Sequence, residues 1–198
     1  MSLGTRINAD TQLHGSVDMD GMMSKVSDEF MVRGLFFRRA IEALGSELER
    51  YQEKLLKPTD RYIPFKNYPQ ADHGRLSIHA ARKVFPGCSD REALRRYARA
   101  DMDDFAESMF GKVMLSMVGH PKKALSLYPS VYEKVAPGPW QMKHYEEDGD
   151  YIIHFGYHTS DWSYQLGQLE GVVGFYGKTT VITVTEAPPA FTYRISIS

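Results

Sequence analysis

Cysteine is almost missing from the chain. Cys88 stands alone, so no internal disulfide and no cysteine-rich metal site can form, and the composition suits a reducing compartment, with the cytoplasm as the default expectation. Net charge is nearly zero, with 24 Lys plus Arg against 25 Asp plus Glu, which leaves no global field drawing the protein to nucleic acid or to an acidic bilayer. No run approaches the roughly eighteen consecutive apolar residues of a membrane span, and residues 1–17 are polar and mixed where a signal peptide would be basic and then apolar. The expectation is therefore no membrane, no secretion signal and no nucleic acid. The signature motifs of phosphate-binding loops, dinucleotide-binding turns, zinc proteases, Cys-x-x-Cys redox sites and Gly-x-Ser-x-Gly hydrolases are also lacking. No placed acid, base, nucleophile or metal set emerges, and the sequence reads as non-enzymatic with no cofactor and no metal.

What remains is an ordinary globular composition, 198 residues with 42% hydrophobic and 25% charged. A folded chain of that size buries roughly 70% of its unfolded surface around one core. Residues 1–26, with Gly4, Gly15 and Gly21 and no period of 2 or 3.6, read as a loose leader to a single domain over 27–198. Leu35, Phe37, Ala40, Ile41 and Leu44 fall at helical spacing and stop at Gly45. Ser46 and Glu49 have the form of a capping box opening a second helix that ends before Pro58, so the two are expected to pack as a hairpin. Pro58, Pro64 and Pro69, interleaved with Tyr62, Phe65 and Tyr68, make a ring-anchored loop. Asp72 is placed to cap a helix ending near Pro86. A second box, Ser89 to Glu92, opens a long tract to Val118 that bends near Ala100, with Leu94, Tyr97, Phe105, Met109 and Val113 on its core face. Gly119 and Pro121 then start another helix, which Pro129 should kink or split.

Composition changes at Ala136. Short aromatic and β-branched tracts come next, and Asp148-Gly149 between two of them is the strongest hairpin signal in the chain. A two-residue turn there sets His154 opposite Lys143, with Tyr151, Ile153, Phe155 and Tyr157 on one face and His154, Gly156 and His158 on the other. A helix from about Trp162 to Tyr176, capped by Ser160 or Asp161, carries Gly167, Gly171 and Gly174, which suggests close backbone contact with the sheet. Two strands, Thr179 to Thr185 and Phe191 to Ile197, complete an α+β class: N-terminal helices followed by an antiparallel sheet of ββαββ order.

Few side chains invite chemistry. His154 and His158 have the spacing of a zinc helix, but on a strand rising about 3.3 Å per residue they stand roughly 13 Å apart, too far for one ion with ligands at about 2 Å. The basic stripe Arg91, Arg95, Arg96 and Arg99 runs straight into Asp101, Asp103 and Asp104 and reads as a salt-bridged surface. Met102, Met109, Met114 and Met117 suit the core, or alternatively an adaptable contact surface.

The order of elements resembles the haem nitric oxide/oxygen binding (H-NOX) fold and its 4-vinyl reductase-like and transport-particle-like relatives. The resemblance covers about residues 30–198. It is carried by Gly34-Leu-Phe-Phe-Arg-Arg-Ala-Ile, the helix Tyr128 to Val135 leading into Ala136-Pro137, Leu166-Gly-Gln-Leu-Glu-Gly171, Val181-Ile-Thr-Val-Thr and Phe191-Thr-Tyr-Arg-Ile. More narrowly the chain is similar to a myxobacterial paralogous family of proteins of this length and unknown function. The resemblance implies a haem site, yet the position of the proximal histidine falls at Tyr132, and the propionate-gripping Tyr-x-Ser-x-Arg aligns with His154, Gly156 and His158. Tyrosinate suits ferric haem and is a poor ligand for ferrous gas sensing. The chain is therefore expected to be a haem-free sensor or small-molecule-binding module, with a pocket between Tyr128, Tyr132, His154, His158 and Tyr164 for a small apolar or aromatic ligand. The rival expectation is an interaction or scaffold module, acting as a homodimer or docking to a signalling partner.

Overall fold

In the computed structural model, residues 4–59, 61–157, 159–188 and 190–198 are described, save the side chains of residues 109, 110 and 114. The chain opens with an edge strand, β1 (Thr5–Ile7), and a short helix, α1 (Met19–Met23). The loose leader expected over residues 1–26 is thus corrected for its described part. β1 pairs antiparallel with a strand near the C-terminus, and Ile7, Leu13, Val17, Met19, Met23 and Val26 are buried. Polar anchors hold it as well: the Arg95 guanidinium donates to the carbonyls of Asn8 at 2.7 Å and Thr11 at 2.5 Å, and Glu92 accepts from the Leu13 amide at 3.1 Å. Composition without periodicity looks loose, but irregular backbone can be tied down by side chains far along the sequence.

Next come β2 (Met31–Arg33), a 3-10 turn over Gly34–Phe37, α2 (Arg38–Leu44) and a one-turn α3 (Glu49–Gln52). Gly45 ends α2 at φ 54, as its position suggested. The second helix of the expected hairpin shrinks to the single turn of α3, and Ser46 lies in a 3-10 turn before it and caps nothing with its side chain. The loop after it is anchored by rings as expected. Tyr62 stacks on Phe37 with centroids 4.1 Å apart, and β3 (Asn67–Pro69) pairs with β2.

Helix α4 (Gln70–Val84) starts directly after Pro69, so Asp72 sits inside its first turn. Its carboxylate is not a cap. It accepts from the amides of Leu56 at 2.7 Å and Lys57 at 2.9 Å, pinning the preceding loop. Helix α5 (Asp90–Glu107) is capped by Ser89 Oγ as the Ser-x-x-Glu spacing predicts. The expected bend near Ala100 lies instead at Ser108, whose extended backbone separates α5 from α6 (Met109–Val118) and whose Oγ caps the second helix at Gly111. Val113, expected in the core, is exposed on α6. Helix α7 (Pro121–Val135) starts with Pro121 in its first turn and runs through Pro129 without splitting.

The sheet has the order β1-β6-β7-β5-β4, built from β4 (Met142–Glu147), β5 (Asp150–Phe155), β6 (Thr180–Ala187) and β7 (Ala190–Ile197), all antiparallel. Asp148 at φ 52 and Gly149 at φ 86 make the predicted hairpin turn, and Lys143 faces His154 in the register expected. Between β5 and β6 runs α8 (Trp162–Gly174), capped by Asp161 Oδ1 and buried from Trp162 to Val173. Its glycines correct one expectation. A Cβ on Gly167 would stand 2.1 Å from the Arg95 carbonyl oxygen, and one on Gly171 would stand 2.6 Å from Met102 Cβ, so the close approach is to α5 and not to the sheet. The architecture is the mixed helical and antiparallel-sheet class read from the sequence.

Candidate functional site

Helices α7 and α8 meet through four side chains placed by helical spacing. Tyr128 and Tyr132 lie one turn apart on the buried face of α7, and Gln165 and Gln168 lie three apart on α8. The Tyr128 hydroxyl donates to Gln168 Oε1 at 2.9 Å, and Gln165 Nε2 donates to Tyr132 Oη at 2.9 Å. Tyr132 also packs edge-on against Trp140 and Phe155, at 5.0 and 6.0 Å between centroids. Below these rings the helices do not close. A half-open cavity of about 80 Å³ is bounded by α4, α5, α6, α7 and α8, with Phe36, Met102, Phe105, Leu115, Leu127 and Val131 among its apolar walls.

Its polar wall is short: Gln70, His73, Tyr128, Tyr132, Tyr164 and Gln168. Burial alone holds His73 neutral, lowering its pKa to about 4. Its ring hydrogen-bonds to the Phe36 carbonyl, and Nε2 lies 3.4 Å from Ser77 Oγ. The Tyr164 hydroxyl donates to Asp101 Oδ2 at 2.9 Å. Burial raises the Asp101 pKa to about 7, against the opposing pull of that bond and of Arg39 at 3.4 Å. The phenols of Tyr128, Tyr132 and Tyr164 are all pushed upward by burial and stay protonated. Behind Phe36 and Phe105, which line both spaces, a wider surface cleft of about 440 Å³ carries Arg38, Arg39, Glu42 and Asp104.

Of the five pocket residues expected from sequence, Tyr128, Tyr132 and Tyr164 come together on this cavity. His154 does not. It alternates with the buried Ile153 and Phe155, lies on the opposite sheet face, and bonds Thr192 Oγ1 through Nδ1 at 3.0 Å. His158 lies outside the described residues. Asp101, expected on a salt-bridged surface with Arg95, is buried as Arg95 is. Gln70, His73, Gln165 and Gln168 carry no sequence expectation, although a polar residue on a helical stripe with apolar core positions is the available signal. Among the described residues no three His, Cys, Asp or Glu side chains gather as a metal site, and no helix is long and apolar enough to cross a membrane.

The pattern of a family described as protein of unknown function (DUF2378) matches residues 25–196. The chain belongs to that family. No curated protein matches it. Among solved structures this family member is similar to an Fe(II)NO H-NOX protein from S. oneidensis, at TM-score 0.66 and 9% identity over 84% of this chain and 99% of that one. It is also similar to an unliganded Fe(II) H-NOX mutant from K. algicida, at 0.64 and 12% over 84% and 96%. A third likeness is to an oxygen-binding H-NOX domain related to soluble guanylate cyclases, at 0.60 and 14% over 83% and 91%. At such identities the likeness establishes the H-NOX-like fold alone.

The haem that this fold implies does not fit the residues present. The cavity of about 80 Å³ falls well short of the roughly 300–1,000 Å³ that pockets for larger ligands occupy. No Lys or Arg lines it to balance the two propionates. Tyr132 is a buried, protonated phenol engaged by Gln165, and the His73 ring is directed at Phe36 and Ser77, so neither presents a free ligand atom to iron.

Proposed function

We propose that this chain is a haem-free, non-catalytic member of the H-NOX-like fold that senses or binds a small, largely apolar molecule in the cavity among α4, α5, α7 and α8. The cavity itself carries this reading. Its walls are mostly aliphatic and aromatic, with a few polar groups on one side, the usual make-up of a small-molecule site. Its volume of about 80 Å³ is near half that of an engineered 150 Å³ cavity that takes benzene, which makes the occupant smaller than benzene. The near-zero charge and single cysteine support a cytoplasmic setting.

Furan, an apolar ring of that size, is the direct probe. Amide chemical shifts of the cavity residues should move on furan titration, and Val131→Phe, which fills the space, should abolish the change while keeping the fold. Protein purified from haem-replete cells should show no Soret band. A Soret band, or furan shifts that survive Val131→Phe, would sink this reading.

The interaction reading has one specific support. Val113 and Met117, four residues apart on α6, are 55% and 83% exposed and form an apolar stripe on one side of the helix. That stripe suits a protein partner or a second copy, and α6 also contributes Leu115 and Val118 to the cavity wall, so ligand and partner would act on the same helix.

A further inference from the structure

The cavity wall holds a buried acceptor that no donor among the described residues reaches. Gln70, the first residue of α4, is 3% exposed and forms part of the cavity wall, and no donor among the described residues reaches its Oε1. Its backbone is satisfied, the amide donating to the Phe30 carbonyl at 2.9 Å, so the missing partner concerns the side chain alone. Buried side-chain acceptors are nearly always hydrogen-bonded, and one left bare carries the full cost of its lost water. The neighbouring polar groups offer no relief. The Tyr128 hydroxyl is committed to Gln168, the Tyr164 hydroxyl to Asp101, and the neutral His73 ring to Phe36.

Resting on the cavity reading above, we infer that the ligand is a hydrogen-bond donor: a small neutral molecule with an apolar body and one N–H or O–H directed at Gln70 Oε1. Neutrality is set by the walls. A cation would meet no carboxylate among the lining residues, and an anion would meet no Lys or Arg. Selectivity comes from the same bare acceptor, because an isosteric molecule lacking the donor leaves Gln70 as it is, whereas the donor satisfies it. A site that demands a hydrogen bond discriminates more sharply than one that only measures shape.

Pyrrole and furan are near-isosteric five-membered rings, and only pyrrole carries an N–H donor. Titrated separately into the full chain, pyrrole should bind about tenfold more tightly than furan, the difference one hydrogen bond supplies. In Gln70→Leu the ratio should fall to about one with furan binding kept. A measurement on the unmodified protein covers the case in which that variant does not fold: the side-chain amide resonances of Gln70 should shift several-fold farther with pyrrole than with furan. Equal affinities in the unmodified protein, or Gln70 resonances that ignore pyrrole, overturn the donor requirement and leave the cavity reading standing. Failure of both rings to bind overturns the two together.

Discussion

The two sides of α8 are built on opposite plans. Toward α5 the helix presents Gly167 and Gly171, and the backbones approach so closely that a single Cβ would strike a carbonyl oxygen. Toward α7 it presents Gln165 and Gln168, which reach long tyrosines through their tips and leave a hollow beside them. One side is close backbone contact beside a buried ion pair, with little room to adjust. The other is held by hydrogen bonds between long side chains, which can rearrange. The tight seam fixes α8 in place, and this lets the opposite side stay incompletely packed without collapse, as a ligand site on a rigid element needs.

The comparison breaks most visibly at the seam's ion pair. Arg95 and Glu170 face each other across α5 and α8 at 2.6 and 2.9 Å, both nearly fully buried, and Arg95 also holds the N-terminal segment through two carbonyls. Removing one partner of such a pair strands a buried charge, at roughly 3–5 kcal/mol. Arg95→Leu should lower the unfolding free energy from urea titration by that amount, and Arg95→Leu with Glu170→Leu should recover most of it. Equal loss in the single and double variants would show that the carbonyl contacts, and not the pair, hold the seam.

The glycines sharpen the same contrast at lower cost. Gly167→Ala forces α5 and α8 apart against a carbonyl 2.1 Å from the new carbon, which belongs at the upper end of the roughly 1–3 kcal/mol typical of overpacking. Gly174→Ala meets nothing closer than Arg99 Nη2 at 3.8 Å and should be neutral or gain up to about 1 kcal/mol of helix propensity. Thermal unfolding of the two variants reads the difference directly. Similar midpoints for both would mean the seam is looser than its geometry.

Much of this was legible in the sequence, and the rest failed for identifiable reasons. Local signals mostly succeeded, the Ser46 box aside: Asp148-Gly149 set the hairpin and its register, Ser89 capped α5, and Gly119 with Pro121 marked the junction before α7. Signals that depend on distant partners failed. The leader seemed loose because its anchors, Glu92, Arg95 and β6, lie some 80 to 180 residues away along the chain. Asp72 looked like a cap because nothing local reveals that Leu56 and Lys57 present free amides to it. At the cavity, tyrosines on a helical stripe were readable, but His154 was misplaced because a resemblance assigned it across a strand that period 2 turns away. The unmet hydrogen bond of Gln70 was invisible, because it is a property of three-dimensional surroundings and leaves no mark on residue type.

The subtlest test concerns two buried titrating groups at the cavity, His73 of α4 in its wall and Asp101 of α5 beneath Tyr164. Asp101 has a native pKa raised by burial from 3.8 to about 7, so its contribution to stability is fully present below pH 3.8 and is lost as pH rises through about 7. His73 has a native pKa lowered by burial from 6.5 to about 4, so its contribution is present above pH 6.5 and is lost as pH falls through about 4. Between pH 4 and 6.5 the two slopes oppose, and together they should move the stability of the unmodified protein by less than about 1 kcal/mol. Each variant unmasks the other group. Relative to the parent, Asp101→Asn should gain stability with rising pH across that window, and His73→Gln should lose it, as chemical denaturation at a series of pH values would read. The balance requires that both groups be dry in the native state. A flat difference curve for Asp101→Asn would mean water reaches Asp101 from the Arg39 cleft, and the floor of the cavity would then be as soft as its α7 side.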